Sequence, residues 1–213
     1  MAEAKDKAEE QEHRAPPLSR REFLYYLWGA SMAVFMAGTG GATVWFALPR
    51  FKEGEFGGVF SLRADQVPAT GSGPMDFPEG RFWLVNIGDQ SINDPRRPQD
   101  YPVQPGVIAL YKVCVHLGCL YGWVPTNDRF ECPCHGSKYL VTGERTGGPA
   151  NRNLDAFIIE VVDGDGNVLA KTEPAMNGRE ASAVSVPPEA TELRVDTGMR
   201  IQGAPNTQPG GGI

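Results

Sequence analysis

Hydrophobic positions along this chain follow two separate patterns. From Phe23 to Leu48 they form one run without a charged residue. As a helix that run would extend roughly 39 Å at 1.5 Å per residue, more than the ~30 Å hydrocarbon core of a bilayer. A cleaved export signal would carry an apolar region of only about 7–15 residues and a small-residue cleavage site. This run ends instead in Trp45-Phe46-Ala47-Leu48-Pro49. Tyr25, Tyr26 and Trp28 at one end and Trp45 and Phe46 at the other match the aromatic belts of membrane interfaces. Gly38, Gly40 and Gly41 weaken the helix centre but let a neighbouring helix approach closely. The expectation is an uncleaved anchor over residues 23–48, set in the lipid bilayer.

Beyond Pro49 the pattern shortens. Val59–Leu62, Phe82–Ile87, Val107–Val113, Tyr121–Val124, Arg129–Cys132, Tyr139–Val141, Ala156–Val162 and Val168–Lys171 are runs of strand length, rich in β-branched and aromatic residues. Asp163-Gly164-Asp165-Gly166-Asn167 is a hairpin signal between the last two. Leu193–Val195 is a candidate edge strand. Asp89 to Gly106 reads as a Pro- and Arg-rich loop, and no segment after Leu48 has helical periodicity. This predicts an all-β domain, mostly antiparallel, as a small sandwich or partly open barrel.

The flanks complete the organisation. Residues 1–22 read as a polar tail, in which His13 is a solvated side chain. It ends in Ser19-Arg20-Arg21-Glu22-Phe23-Leu24, a twin-arginine pair ahead of an apolar segment and so a signal for export of folded proteins. That direction places the N-terminus in the cytoplasm. Residues 49–58 read as a Gly-rich, charged linker, 59–200 as the β domain and 201–213 as a flexible tail. A linker of ten residues would reach at most about 35 Å and could let the domain swing between partners.

Length and composition agree with one domain plus appendages: 213 residues, 41% hydrophobic, with 26 Gly and 18 Pro for the turns. The net charge of −6, without a basic patch interleaved with aromatics, argues against nucleic acid as a partner.

The chemistry is concentrated in two boxes, Cys114-Val115-His116-Leu117-Gly118-Cys119 and Cys132-Pro133-Cys134-His135-Gly136-Ser137. They hold all four cysteines and two of the three histidines. A tetrahedral zinc could take Cys114, His116, Cys132 and His135, which leaves Cys119 and Cys134 unexplained. A plain disulfide framework explains the cysteines and leaves the histidines idle. A [2Fe-2S] cluster with two thiolates on one iron and two imidazoles on the other uses the same four residues.

These boxes closely resemble those of Rieske iron–sulfur proteins, specifically the subunits of cytochrome bc1 and b6f complexes. The resemblance extends to the anchor, the linker, the order of strands, and Gly147-Gly148-Pro149-Ala150, which is similar to the family's proline loop. It implies a Rieske-type β domain with one [2Fe-2S] cluster per chain. Cys114 and Cys132 would hold the inner iron, His116 and His135 the outer one, and Cys119–Cys134 would be a disulfide. The Ser137 and Tyr139 hydroxyls would bond a bridging sulfide and a ligand sulfur, raising the potential. The same resemblance implies a quinol:cytochrome c (or plastocyanin) oxidoreductase of the translocase type. His135 first, and His116 with it, would meet a membrane quinol and take a proton with the electron. Leu117, Gly118, Leu120, Gly136 and Pro149 would form a rim docking on a cytochrome b-type subunit, and a c-type cytochrome would accept the electron. The cluster domain would face the periplasmic or outer side of a bacterial inner or photosynthetic membrane. An exported oxidoreductase of the arsenite-oxidase type is the alternative setting. Val115 stands where the family commonly has Thr, and Asn151-Arg152 where a second Pro is common.

Overall fold

The computed structural model describes residues 18–48, 54, 56–97, 103–175 and 178–205. The chain divides into two compact units, one holding the N-terminal helix and the other the strands. The expectations for residues 1–17 and 206–213 lie outside the described residues.

Helix α1 (Arg20–Ala47) starts ahead of the apolar run because Ser19 caps it. The Glu22 N–H donates to Ser19 Oγ at 3.3 Å, and the Ser19 N–H donates to Glu22 Oε2 at 2.9 Å. Ser19 and Glu22, which flank the arginine pair, thus form a capping box and satisfy two otherwise orphaned donors. The 28 residues of α1 would reach about 42 Å. Among the described residues it is the one helix long and apolar enough to cross a membrane.

The second unit is built from two antiparallel sheets. The larger contains β1 (Val59–Arg63), β2 (Met75–Phe77), β3 (Phe82–Ile87), β4 (Gly106–Tyr111), β9 (Ala156–Val162), β10 (Val168–Lys171) and β11 (Glu192–Ile201). Its order is β1-β11-β9-β4-β3-β2, with β10 also beside β9. The smaller is a meander of β5 (Gly122–Val124), β6 (Arg129–Glu131), β7 (Lys138–Tyr139) and β8 (Arg145–Gly147). The domain is all-β and mostly antiparallel, as the spacing of apolar runs implies.

Alternation along β3 and β4 explains why both read as continuous apolar runs. Phe82, Leu84, Val107 and Ala109 face one core with Phe157, Ile159, Leu193 and Val195. Trp83, Val85, Ile108 and Leu110 face a second core with Cys114, Phe130, Cys132 and Tyr139. Strands covered on both faces lose the polar half of the period-2 pattern. The large sheet also curls. Phe60 on outer strand β1 meets Phe82 edge-on at 5.7 Å, and Phe77 on the opposite outer strand stacks on Phe82 at 4.7 Å.

The small sheet is an insertion between β4 and β9, which pair directly through Ala109↔Phe157 and Leu110↔Ala156. The chain therefore leaves the large sheet at Tyr111 and returns at the neighbouring strand, where the Tyr111 N–H donates to the Asp155 carbonyl at 2.8 Å. Everything between forms one excursion carrying both boxes.

Several expectations change. The candidate edge strand at Leu193–Val195 is instead the ten-residue β11, which lies inside the sheet between β1 and β9. Two strands were not expected: β2, Met75-Asp76-Phe77, is too short to stand out as an apolar run, and β8, Arg145-Thr146-Gly147, has no apolar residue and exists through its pairing with β7. One helical turn, α2 (Asp89–Ile92), opens the Pro- and Arg-rich loop. Residues 201–205, expected in the tail, belong to the domain, with Ile201 and Ala204 buried. At the other end, the Gly57 N–H donates to Thr197 Oγ1 at 2.8 Å and Phe56 stacks on Tyr111. The linker expected over 49–58 is therefore already docked at Phe56 and Gly57.

Arg97 anchors its loop beside the small sheet, its Nε donating to both Glu144 oxygens at 3.0 and 2.9 Å. Thr142 Oγ1 adds a bond to Glu144 at 2.9 Å, and the carboxylate is fully buried. Burial pushes the Glu144 carboxyl up to about 7, against Thr142 and Arg97, which pull it down. The folded state thus keeps a proton that the unfolded chain releases above the ordinary value of 4.5. That contribution is full below 4.5 and is lost as pH rises through about 7. The melting temperature of Glu144→Gln relative to wild type is expected to rise across this window; a pH-independent difference contradicts the shift.

Candidate metal centre

The two boxes fold as one turn built twice. In the first, between β4 and β5, the Gly118 N–H donates to the Cys114 carbonyl at 2.9 Å and the Cys114 N–H to the Cys119 carbonyl at 2.7 Å. In the second, between β6 and β7, the Gly136 N–H donates to the Cys132 carbonyl at 3.0 Å and the Cys132 N–H to the Ser137 carbonyl at 2.8 Å. Each turn closes with a glycine in the left-handed region, Gly118 at φ 83° and Gly136 at φ 74°. That conformation is close to free for glycine and costly for a residue with a Cβ. Pairing of Val113 with Leu120 and of Glu131 with Lys138 closes the two bases.

A disulfide joins the turns through Cys119 and Cys134, with Cα atoms 6.6 Å apart. Cys114 and Cys132 remain free thiols, 1% and 3% exposed. A framework of two disulfides is therefore excluded. The sulfurs of Cys119, Cys132 and Cys134 lie within 4.8 Å of one another. Two of those three are bonded together and offer no thiolate, so this proximity means that the disulfide packs against the Cys132 thiol. His116 and His135 lie toward the outside, His135 exposed and His116 half-buried. Their rings are 4.9 Å apart at 85°. Buried thiols with two adjacent, accessible imidazoles provide the donor set of a [2Fe-2S] cluster with mixed ligation.

The surroundings bear on those thiols. Burial pushes the Cys132 thiol up, and the Cys114 thiol beside it acts the same way, while backbone N–H groups of Cys134 and His135 pull it down. Metal binding at these thiols would release their protons. The Tyr139 hydroxyl is 3.2 Å from Cys114 Sγ. Burial, with Cys114 adding to it, pushes the Tyr139 phenol far above its ordinary value, so it stays a donor. Ser137 is fully buried, and its Oγ accepts from the Ala150 N–H at 3.2 Å. Its own hydroxyl proton is left to donate elsewhere.

Gly147-Gly148-Pro149-Ala150 lies against the second box. A Cβ on Gly148, at φ 83°, would sit 2.4 Å from Ser137 Cα and 2.6 Å from the Gly136 carbonyl oxygen. Only glycine permits that approach. Pro149, Gly118 and Gly136 are exposed, as are Leu117 and Leu120 at 70% and 60%. The fold thus brings every residue of the expected ligand, disulfide, hydroxyl and rim sets into one end of the small sheet. Two neighbours carried no signal in the sequence, Arg145 and Asn153. Asn153 Oδ1 accepts from the Arg145 N–H at 2.9 Å, and Arg145 Nη2 donates to the Gly148 carbonyl.

Residues 75–158 match the family of the Rieske [2Fe-2S] domain. The iron–sulfur subunit of the cytochrome b6-f complex from Synechococcus sp. (strain JA-3-3Ab) is 33% identical over 154 residues, covering 71% of this chain and 86% of that protein. Iron–sulfur subunit 3 of the same complex from Nostoc sp. (strain PCC 7120) is 31% identical over 156 residues, covering 70% and 83%. Among solved structures, the plasma-membrane Rieske protein of Synechocystis PCC 6803 is 28% identical over 45% of this chain and 82% of that one, with a TM-score of 0.30.

A hydrogen bond to a charged group contributes about 1.5–3 kcal/mol, and about 1.4 kcal/mol corresponds to 59 mV for one electron. Tyr139→Phe and Ser137→Ala are each expected to lower the reduction potential of the loaded protein by on the order of 60 mV. Voltammetry that finds an intact cluster and no shift would remove these hydroxyls from the centre.

Proposed function

We propose, for a chain that belongs to the Rieske [2Fe-2S] protein family, that it is the iron–sulfur subunit of a bc-type complex. In this reading it oxidises a membrane quinol and passes the electron to a c-type cytochrome. The observation that carries the reading is the arrangement of the donors, with thiols buried and imidazoles accessible beside an exposed apolar rim. The relatives named as cytochrome b6-f subunits support the same setting.

Cys114, Cys132, His116 and His135 would hold the cluster, the two thiolates on one iron and the two imidazoles on the other. When bound, the cluster supplies one-electron acceptance at a potential raised by its two neutral imidazole ligands, within about −150 to +300 mV. Each imidazole would keep one ring nitrogen free of the metal when the cluster is bound. His135, the more exposed, presents that nitrogen to the quinol hydroxyl, accepts a hydrogen bond and takes its proton with the electron. Leu117, Leu120 and Pro149, with Gly118 and Gly136 between them, exclude water from that contact and dock on a cytochrome b-type subunit. The Tyr139 and Ser137 hydroxyls would stabilise the added charge by donating hydrogen bonds.

Helix α1 anchors the subunit with its N-terminus in the cytoplasm and the cluster domain on the outer side. The disulfide suits an oxidising compartment, and Arg20 and Arg21 suit export of a domain already folded around its cluster. Docking of Phe56 and Gly57 onto the domain shortens the linker available for movement between the two partners.

The test is an EPR-monitored redox titration of the chain in its native membrane, with and without a quinol-site inhibitor. The inhibitor is expected to change the line shape and raise the apparent potential. Identical titrations contradict quinol contact, and co-purification with a molybdenum enzyme in place of b and c haems assigns the exported-oxidoreductase alternative.

A further inference from the structure

We propose that Arg145 is a positioning residue that sets the cluster's reduction potential by supplying a buried positive charge without a carboxylate partner. It is 6% exposed. Its Nη2 donates to the Gly148 carbonyl, its Nε has no hydrogen-bond partner, and among the described residues it forms no ion pair. The nearby buried carboxylates are all engaged elsewhere. Glu144 is held by Arg97 and Thr142. Asp155 is held by Arg152 and Arg200. Glu180 accepts from Asn153 Nδ2 at 3.1 Å and from the Ala204 N–H at 2.7 Å.

A guanidinium buried without a counter-charge is expensive, because the desolvation cost is not repaid. Something anionic is therefore expected within its field, and its place in the fold says what. Arg145 is the ladder partner of Tyr139, whose hydroxyl touches Cys114 Sγ. Through the Gly148 carbonyl it also reaches the loop that lies against Ser137 and Gly136. It thus stands one residue away from both ligand turns.

Two ferric ions, two sulfides and two thiolates sum to no net charge, and one added electron makes the cluster anionic. A fixed cation in a medium of low dielectric favours the reduced form and so raises the potential. The inference rests on the cluster and not on the identity of its electron donor.

The test uses the full-length, cluster-loaded chain in detergent, titrated with redox mediators under EPR. Arg145→Met and Arg145→Gln are expected to shift the one-electron equilibrium about tenfold toward the oxidised form, a fall of 59 mV, with unchanged g-values. Arg145→Lys is expected to keep most of the wild-type potential. Wild-type potentials in all three variants overturn the proposal. Equal falls in the Lys and Gln variants also overturn it, because they assign the residue a steric role. If Arg145→Met fails to hold a cluster, the comparison of Lys with Gln decides alone.

Discussion

Cys119 and Cys134 join two turns whose backbones are already closed by their own hydrogen bonds, so the disulfide fixes one turn against the other without having to shape either. Its sequence separation is 15 residues, for which chain entropy gives about 3 kcal/mol. The geometric consequence matters more here than the stability. With the two turns held face to face, the Cys114 and Cys132 thiols stay in the core while His116 and His135 are left side by side at the surface. The rest of the small sheet supports that arrangement. Tyr139 lies under Cys114, Gly148 lies against Ser137, and the insertion between two paired strands gives the excursion a fixed base.

Charge is handled on two levels around this centre. The Glu144–Arg97 pair ties the Pro- and Arg-rich loop to the small sheet, and the Asp155–Arg152–Arg200 group ties the segment entering β9 to β11 of the large sheet. Glu180 brings in the C-terminal segment through Asn153 and Ala204. Arg145 stands apart because it has no carboxylate. Reduction of the cluster adds a negative charge within reach of this unpaired guanidinium. A cation in the core and two hydroxyl donors then act in the same direction, toward the reduced state.

Much of this was legible in the residues. The apolar run gave the helix, and short runs rich in β-branched and aromatic residues gave β1, β3, β4, β9 and β10 close to their observed bounds. The grouping of cysteines and histidines marked the site, because so few residue types crowd so short a stretch by chance. β2 and β8 were not legible, since three-residue strands such as Arg145-Thr146-Gly147 owe their form to pairing and carry no hydrophobic period. The interior place of β11 was hidden for a related reason. Its sequence alternates over Glu192–Asp196 and then turns polar through a register shift before Arg200, which disguises its length. Buried ionic contacts such as Arg97 with Glu144 join residues far apart in the chain, and no local pattern announces them. Arg145 was invisible on the same ground, because a lone arginine in a turn-rich segment ordinarily points to solvent.

The central claim is that two thiolates and two imidazoles of this chain hold two inequivalent irons. Mössbauer spectroscopy of the reduced, ⁵⁷Fe-enriched full-length protein tests it most directly. The account predicts two components of equal area, one ferric site with all-sulfur ligation and one ferrous site with mixed sulfur and nitrogen ligation. A single all-sulfur iron environment, or a protein with one zinc and no iron, would contradict it.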